Sequence, residues 1–99
     1  MRIYTINGNK FRGEKGFYRY AESTFTSGLN WKIGRNLNAF ADILRGGFGM
    51  HDYGERIIVK WFNMKKSREV LPAYFYNYLV EILEEAENVV FERYEYALR

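Results

Sequence analysis

The chain has no cysteine, one proline and one histidine in its 99 residues. Without thiols there is no disulfide framework of the kind small secreted domains depend on, which favours a reducing compartment. One histidine and no cysteine leave too few ligands for a soft-metal site, and no cofactor is expected. With Pro72 alone, no proline-rich linker divides the sequence. Long apolar runs are missing too. Nothing approaches the length of a membrane span, and Met1-Arg2-Ile3-Tyr4-Thr5-Ile6 lacks the apolar stretch of a signal peptide. The expected location is the cytoplasm, with no membrane partner. Nor does charge of one sign dominate: the net charge is +3. The basic residues are scattered, and the one dense cluster, Lys65-Lys66-Ser67-Arg68, reads as a solvated helix face rather than a phosphate track.

Aromatic and aliphatic residues are plentiful: 47% of the chain is hydrophobic and 19% aromatic. Each buried aromatic removes roughly 150–250 Å² from water, so there is ample material for one core. Disorder needs low hydrophobicity and high net charge, which this composition excludes. A single domain over residues 1–99 is expected.

Ile3-Tyr4-Thr5-Ile6 is a short β-type run stopped by the turn signal Asn7-Gly8. Phe17, Ala21 and Phe25 recur every four residues and mark an amphipathic helix from Glu14. From Asn36, the positions Leu37, Phe40, Ala41, Leu44 and Phe48 form an apolar stripe, which Gly46-Gly47 terminates. Arg35, Asn38, Asp42 and Arg45 lie on the opposite face, so Asp42 should point to solvent. Ile57-Ile58-Val59-Lys60-Trp61-Phe62 is the best strand, suited to a central place or to cover on both faces. A short helix over Lys65–Leu71 follows, and Pro72 opens another in its first turn. There Phe75, Tyr78, Leu79, Ile82, Leu83 and Ala86 make an apolar face, and Asn88 ends the helix before Val89-Val90-Phe91 begins a last strand. The order β-α-α-β-α-α-β implies an α/β fold: a three-stranded parallel sheet with right-handed helical crossovers.

The segment Lys32-Ile33-Gly34-Arg35-Asn36-Leu37-Asn38-Ala39-Phe40-Ala41-Asp42, closing with Leu44-Arg45-Gly46, resembles the signature of barstar-like ribonuclease inhibitors. That signature is an aromatic-rich loop, a Gly, Asn-Leu-Asp-Ala, an Asp four residues on, and Leu-x-Gly. Ile6-Asn7-Gly8, the strand ending in Trp61, Ser67 and Glu85-Ala86 match the rest of the family pattern. The resemblance implies a barstar-like fold and inhibition by occlusion. The second helix and the loop before it would plug a ribonuclease cleft, their acids standing in for substrate phosphates in a 1:1 complex formed by a protein that is monomeric when free. Asp42 matches the principal acidic anchor, and Glu85 aligns with a second acid. Asn36, Arg45 and Gly46 fall within the same surface. Asn38 stands where the family has an aspartate, and Lys32 and Ile33 replace two aromatics. These departures point to a target less basic than the family's usual one.

Catalysis has little support. His51 beside Asp52 in a Gly-rich loop reads as a solvent-facing pair rather than a general base with its orienting carboxylate. Gly46-Gly47-Phe48-Gly49 lacks the Lys-Ser/Thr of a phosphate loop. Phe17-Tyr18-Arg19-Tyr20 and Tyr74-Phe75-Tyr76-Asn77-Tyr78 would serve an alternative, a small RNA-binding protein, but helix packing is the expected use and nucleic acid is not the expected partner. A further alternative keeps the barstar fold and binds a non-nuclease protein.

Overall fold

Ile57, Val59 and Trp61 alternate with Ile58, Lys60 and Phe62 in the strand that organises the molecule. The computed structural model describes residues 1–26 and 36–97. In chain order its elements are β1 (Arg2–Asn7), α1 (Gly13–Phe25), α2 (Leu37–Arg45), β2 (Ile57–Phe62), α3 (Met64–Val70), α4 (Ala73–Glu85) and β3 (Val89–Arg93). The three strands pair in parallel in the order β1-β2-β3, with Tyr4 opposite Val59 and Val59 opposite Phe91. Two right-handed crossovers stepping in the same direction must place their helices on the same face of the sheet. Burial follows that rule. Tyr4, Ile6, Ile57, Val59 and Trp61 are buried beneath the helices, whereas Ile3 and Thr5 are exposed and Ile58, Lys60 and Phe62 half-buried. β2 is therefore central but not covered on both faces. Its open face is kept polar and aromatic by the Lys60–Glu92 pair (3.9 Å) and by Phe62 stacked on Tyr94 at 4.8 Å.

The helical layer is held by aromatic packing. Phe40 of α2 meets Phe17 and Phe25 of α1 edge-on at 5.5 and 5.6 Å, and Phe17 meets Phe75 of α4 at 5.7 Å. Such edge-to-face pairs add about 0.5–1.5 kcal/mol each beyond the area they bury. In α2 the buried residues are Phe40, Ile43 and Leu44, with Leu37 and Ala41 only half-buried. Ile43 is thus on the core side, because the inward face is centred between the Phe40 and Leu44 rows. In α4 Tyr76 is buried and Tyr78 exposed, the reverse of the periodicity reading for Tyr78. Tyr76 lies against Trp61 at 5.5 Å and accepts a hydrogen bond from Arg68.

Short hydrogen bonds close the sheet's ends and edge. The Trp61 indole N–H donates to Ser67 Oγ at 2.9 Å, and Gly8 N–H donates to the Phe62 carbonyl at 2.9 Å. A β-carbon on Gly8 would collide with the Asn63 carbonyl and Ser67 Oγ, so the Asn7-Gly8 turn needs glycine for close approach. On the outer side of β1, the Tyr20 hydroxyl accepts from Asn7 N–H and donates to the Thr5 carbonyl, both at 2.9 Å. After β3, the Tyr94 and Glu95 carbonyls accept from Met64 and Lys65 N–H, filling two of the amides that the start of α3 leaves open.

Candidate functional site

α2 is nine residues long, too short to be stable alone in water, so its neighbours must fix it. At its start the Asn36 side-chain oxygen accepts from Ala39 N–H at 2.8 Å, the N-cap geometry that satisfies one open amide. The Asn36 carboxamide oxygen thus has a structural task. At the other end Gly46 has φ 104° and ψ −173°, a region essentially restricted to glycine. A β-carbon there would strike the Asp52 carbonyl and the His51 ring. Gly46 is buried; it lets the chain turn and brings no side chain to the surface.

Between these ends, Asn38, Asp42 and Arg45 are exposed. Asp42 Oδ1 accepts from Arg45 Nη1 at 3.3 Å, one turn along, and the two side chains are 60% and 61% exposed. An exposed i,i+3 pair of this kind contributes only a few tenths of a kcal/mol. Asp42 would exchange Arg45 for a better-placed cation at little cost.

Arg45 also borders a groove of about 650 Å³ between the C-terminal ends of α2 and α4. Ala41, Ile82 and Ala86 give it an apolar lining, Arg56 supplies a second cation, and Glu85 and Glu87 supply anions. The structure therefore brings Arg45 and Glu85 to one groove, with Asp42 and Asn38 on the adjoining helix surface. Asn38 borders a smaller hollow with Leu37, Tyr74 and Tyr78. Lys32 and Ile33, with Trp31, Gly34 and Arg35, lie outside the described residues.

Sequence reasoning missed the loop between α2 and β2. Tyr53, 78% exposed, lines the groove beside Gly54 and Arg56. His51 is buried rather than solvent-facing, which corrects the expectation for the His51-Asp52 pair. Its Nε2 lies 3.0 Å from the Leu44 carbonyl and its Nδ1 lies 2.7 Å from the Tyr4 hydroxyl. A carbonyl only accepts, so Nε2–H donates; in the neutral ring Nδ1 then accepts from the Tyr4 O–H. Burial pushes the Tyr4 phenol above its ordinary pKa, with Arg2 opposing and Glu55 reinforcing the shift. No sequence signal marked this contact, because Tyr4 and His51 are 47 positions apart.

Two features set aside in the sequence have defined partners. Arg68 is bonded to Glu95 and Tyr76, and Lys65 lies 5.9 Å from the Tyr96 ring. Phe17, Tyr18, Phe75 and Tyr76 are buried in the core. Among the described residues, no group of three or more His, Cys, Asp or Glu side chains could hold a metal ion, and no helix is long and apolar enough to cross a membrane.

The model of one protein family, described as Barstar (barnase inhibitor), matches residues 1–98. Among curated proteins none matches the sequence significantly.

Proposed function

This chain belongs to the barstar family, and we propose that it is an intracellular protein inhibitor that binds a ribonuclease or ribonuclease toxin 1:1 and occludes its active site, with no catalysis of its own. The observation that carries the reading is Asp42, exposed on the outward face of α2 and, among the described residues, held by the weak pair with Arg45. Inside a ribonuclease cleft, which must bind phosphates, a carboxylate meets Arg or Lys out of reach of water. Charge-assisted hydrogen bonds there are roughly twice as strong as neutral ones, and one such anchor can dominate an interface. Opposite charge also speeds encounter, which matters when the target is harmful as soon as it is made.

The surface around Asp42 suits a target that is not uniformly basic. Asn38 is neutral, and the adjoining groove sets Arg45 and Arg56 against Glu85 and Glu87. Glu85 is the second acid in this reading, while Lys32 and Ile33 belong to the segment leading into α2. The alternative RNA-binding reading loses weight because Arg68 is committed to Glu95 and most of the helix aromatics are buried.

The test is a titration of ribonuclease activity, using barnase and a panel of small secreted microbial ribonucleases of differing charge. Stoichiometric 1:1 inhibition of at least one is expected. Asp42→Ala should then weaken that complex by at least about 2 kcal/mol, roughly 30-fold in Kd. Inhibition of none, or an Asp42→Ala variant that binds like wild type, would overturn the assignment.

A further inference from the structure

We propose that His51 is a positioning residue for this surface: with Asn88 it clamps the C-terminal end of α2, holding Asp42 in place for a partner. Service to a partner rests on the inhibitor reading above; the clamp itself rests on geometry alone.

The last carbonyls of a helix have no intrahelical donors and ordinarily turn to water. In α2 they turn to protein. The Leu44 carbonyl accepts from His51 Nε2–H at 3.0 Å and from Asn88 Nδ2–H at 2.7 Å. The Arg45 carbonyl accepts from Gly54 N–H at 2.6 Å, and the Ile43 carbonyl from Gly46 N–H at 3.0 Å. The loop that supplies these donors is itself braced. Gly47 N–H donates to the His51 carbonyl at 2.8 Å, Asp52 N–H to Glu55 Oε1 at 2.9 Å, and Asn88 to the Glu55 carbonyl at 3.0 Å.

His51 links this assembly to the sheet, because its other nitrogen accepts from Tyr4 of β1, whose ring stacks on Phe25 at 4.7 Å. The chain of contacts therefore runs from β1 through the imidazole to the end of α2, and from the entry of β3 through Asn88 to the same carbonyl. Asp42 lies less than one turn from Leu44. A short helix pinned in this way holds the Asp42 backbone in one position, and the cost of ordering the helix is met on folding rather than on binding. A buried imidazole with both nitrogens engaged is better suited to that duty than a flexible side chain.

The test compares His51→Leu with His51→Gln, whose side-chain amide keeps an N–H to offer the Leu44 carbonyl. Amide hydrogen exchange is read at Ala41 to Arg45 of α2 and at Val59 and Trp61 of β2. His51→Leu should speed exchange in α2 at least tenfold more than in β2, and His51→Gln should restore most of the difference. In wild type, the imidazole ¹⁵N shifts should report the Nε2–H tautomer. Acceleration by one common factor in α2 and β2, unchanged exchange in α2, or an Nδ1–H tautomer would overturn the clamp. If His51→Leu does not fold, Asn88→Ala must give the same α2-selective pattern, or the proposal fails. With any ribonuclease that wild type inhibits, His51→Leu should raise Kd at least fivefold and His51→Gln should recover it; equal Kd values would refute the positioning role. If wild type inhibits none, the inhibitor reading fails, and the exchange pattern alone decides the clamp.

Discussion

At the scale of single residues, the glycines after α2 separate two physical effects. Gly46 combines a glycine-only conformation with a β-carbon position occupied by the Asp52 carbonyl, whereas Gly47 has φ 87° and open space where a β-carbon would sit. Backbone strain of this type costs about 1–3 kcal/mol. Gly46→Ala should therefore lose at least about 2 kcal/mol in urea unfolding, and Gly47→Ala only about 1 kcal/mol; equal losses would show that the contact with Asp52 is unimportant. The stop after Arg45 was legible in the sequence, since paired glycines mark a helix end. The outward phase of Asn38, Asp42 and Arg45 was legible as well, from the helical period alone. His51 was not. A lone loop histidine carries no local sign of burial, and its partners come from β1 and from a carbonyl, a group every residue has. Glu85 and Arg45 share a groove for a reason equally invisible in the sequence: only tertiary packing sets the ends of α2 and α4 side by side.

At the scale of elements, boundaries were legible where local chemistry decides them. β2 runs from Ile57 to Phe62, the limits of its β-branched and aromatic run. Pro72 stands just before α4, where its carbonyl accepts from Phe75 and Tyr76 N–H. Faces were harder to read than boundaries. Tyr78 and Tyr76 exchange roles in α4 because Arg68 and Trp61 offer partners to Tyr76, and a hydropathy pattern does not record partners. For α2 the element-level prediction concerns its start. Replacing Asn36 by Ala removes the cap to Ala39 N–H and should cost about 1 kcal/mol, with Ser retaining most of it. Chemical denaturation would check this, and an Asn36→Ala variant as stable as wild type would mean that the cap contributes nothing.

At the scale of the whole molecule, the parallel sheet was legible because helices separate the strands, and the apolar run of β2 suited it to the central place it holds. That one sheet face stays open was not drawn from the same pattern; β2 reads as apolar on both sides, and Ile58 and Phe62 are only half-buried. The collective electrostatics lead to a pH prediction. Tyr4, Tyr18 and Tyr20 are all held above the ordinary tyrosine value of 10.0, burial being the first cause in each. In the unfolded chain these phenols release protons near pH 10, while the folded protein still retains them. The associated stability is thus complete below about pH 10 and is lost as pH rises through the folded values. Unfolding free energies measured from about pH 8 to 11.5, alongside phenolate absorbance, should decline only above about pH 10. A flat profile to the upper limit would contradict the buried phenols.

The Tyr20 hydroxyl has a consequence that reaches beyond one copy. An edge strand in a parallel sheet offers an N–H and a C=O two residues apart, and a strand from another molecule needs both to begin pairing. On β1 those groups are Asn7 N–H and Thr5 C=O, and one phenol engages both. A foreign strand would have to displace an aromatic side chain rooted in α1 before gaining its first rung. The tyrosine works as a stopper, making sheet growth at that end of β1 uphill from the first step.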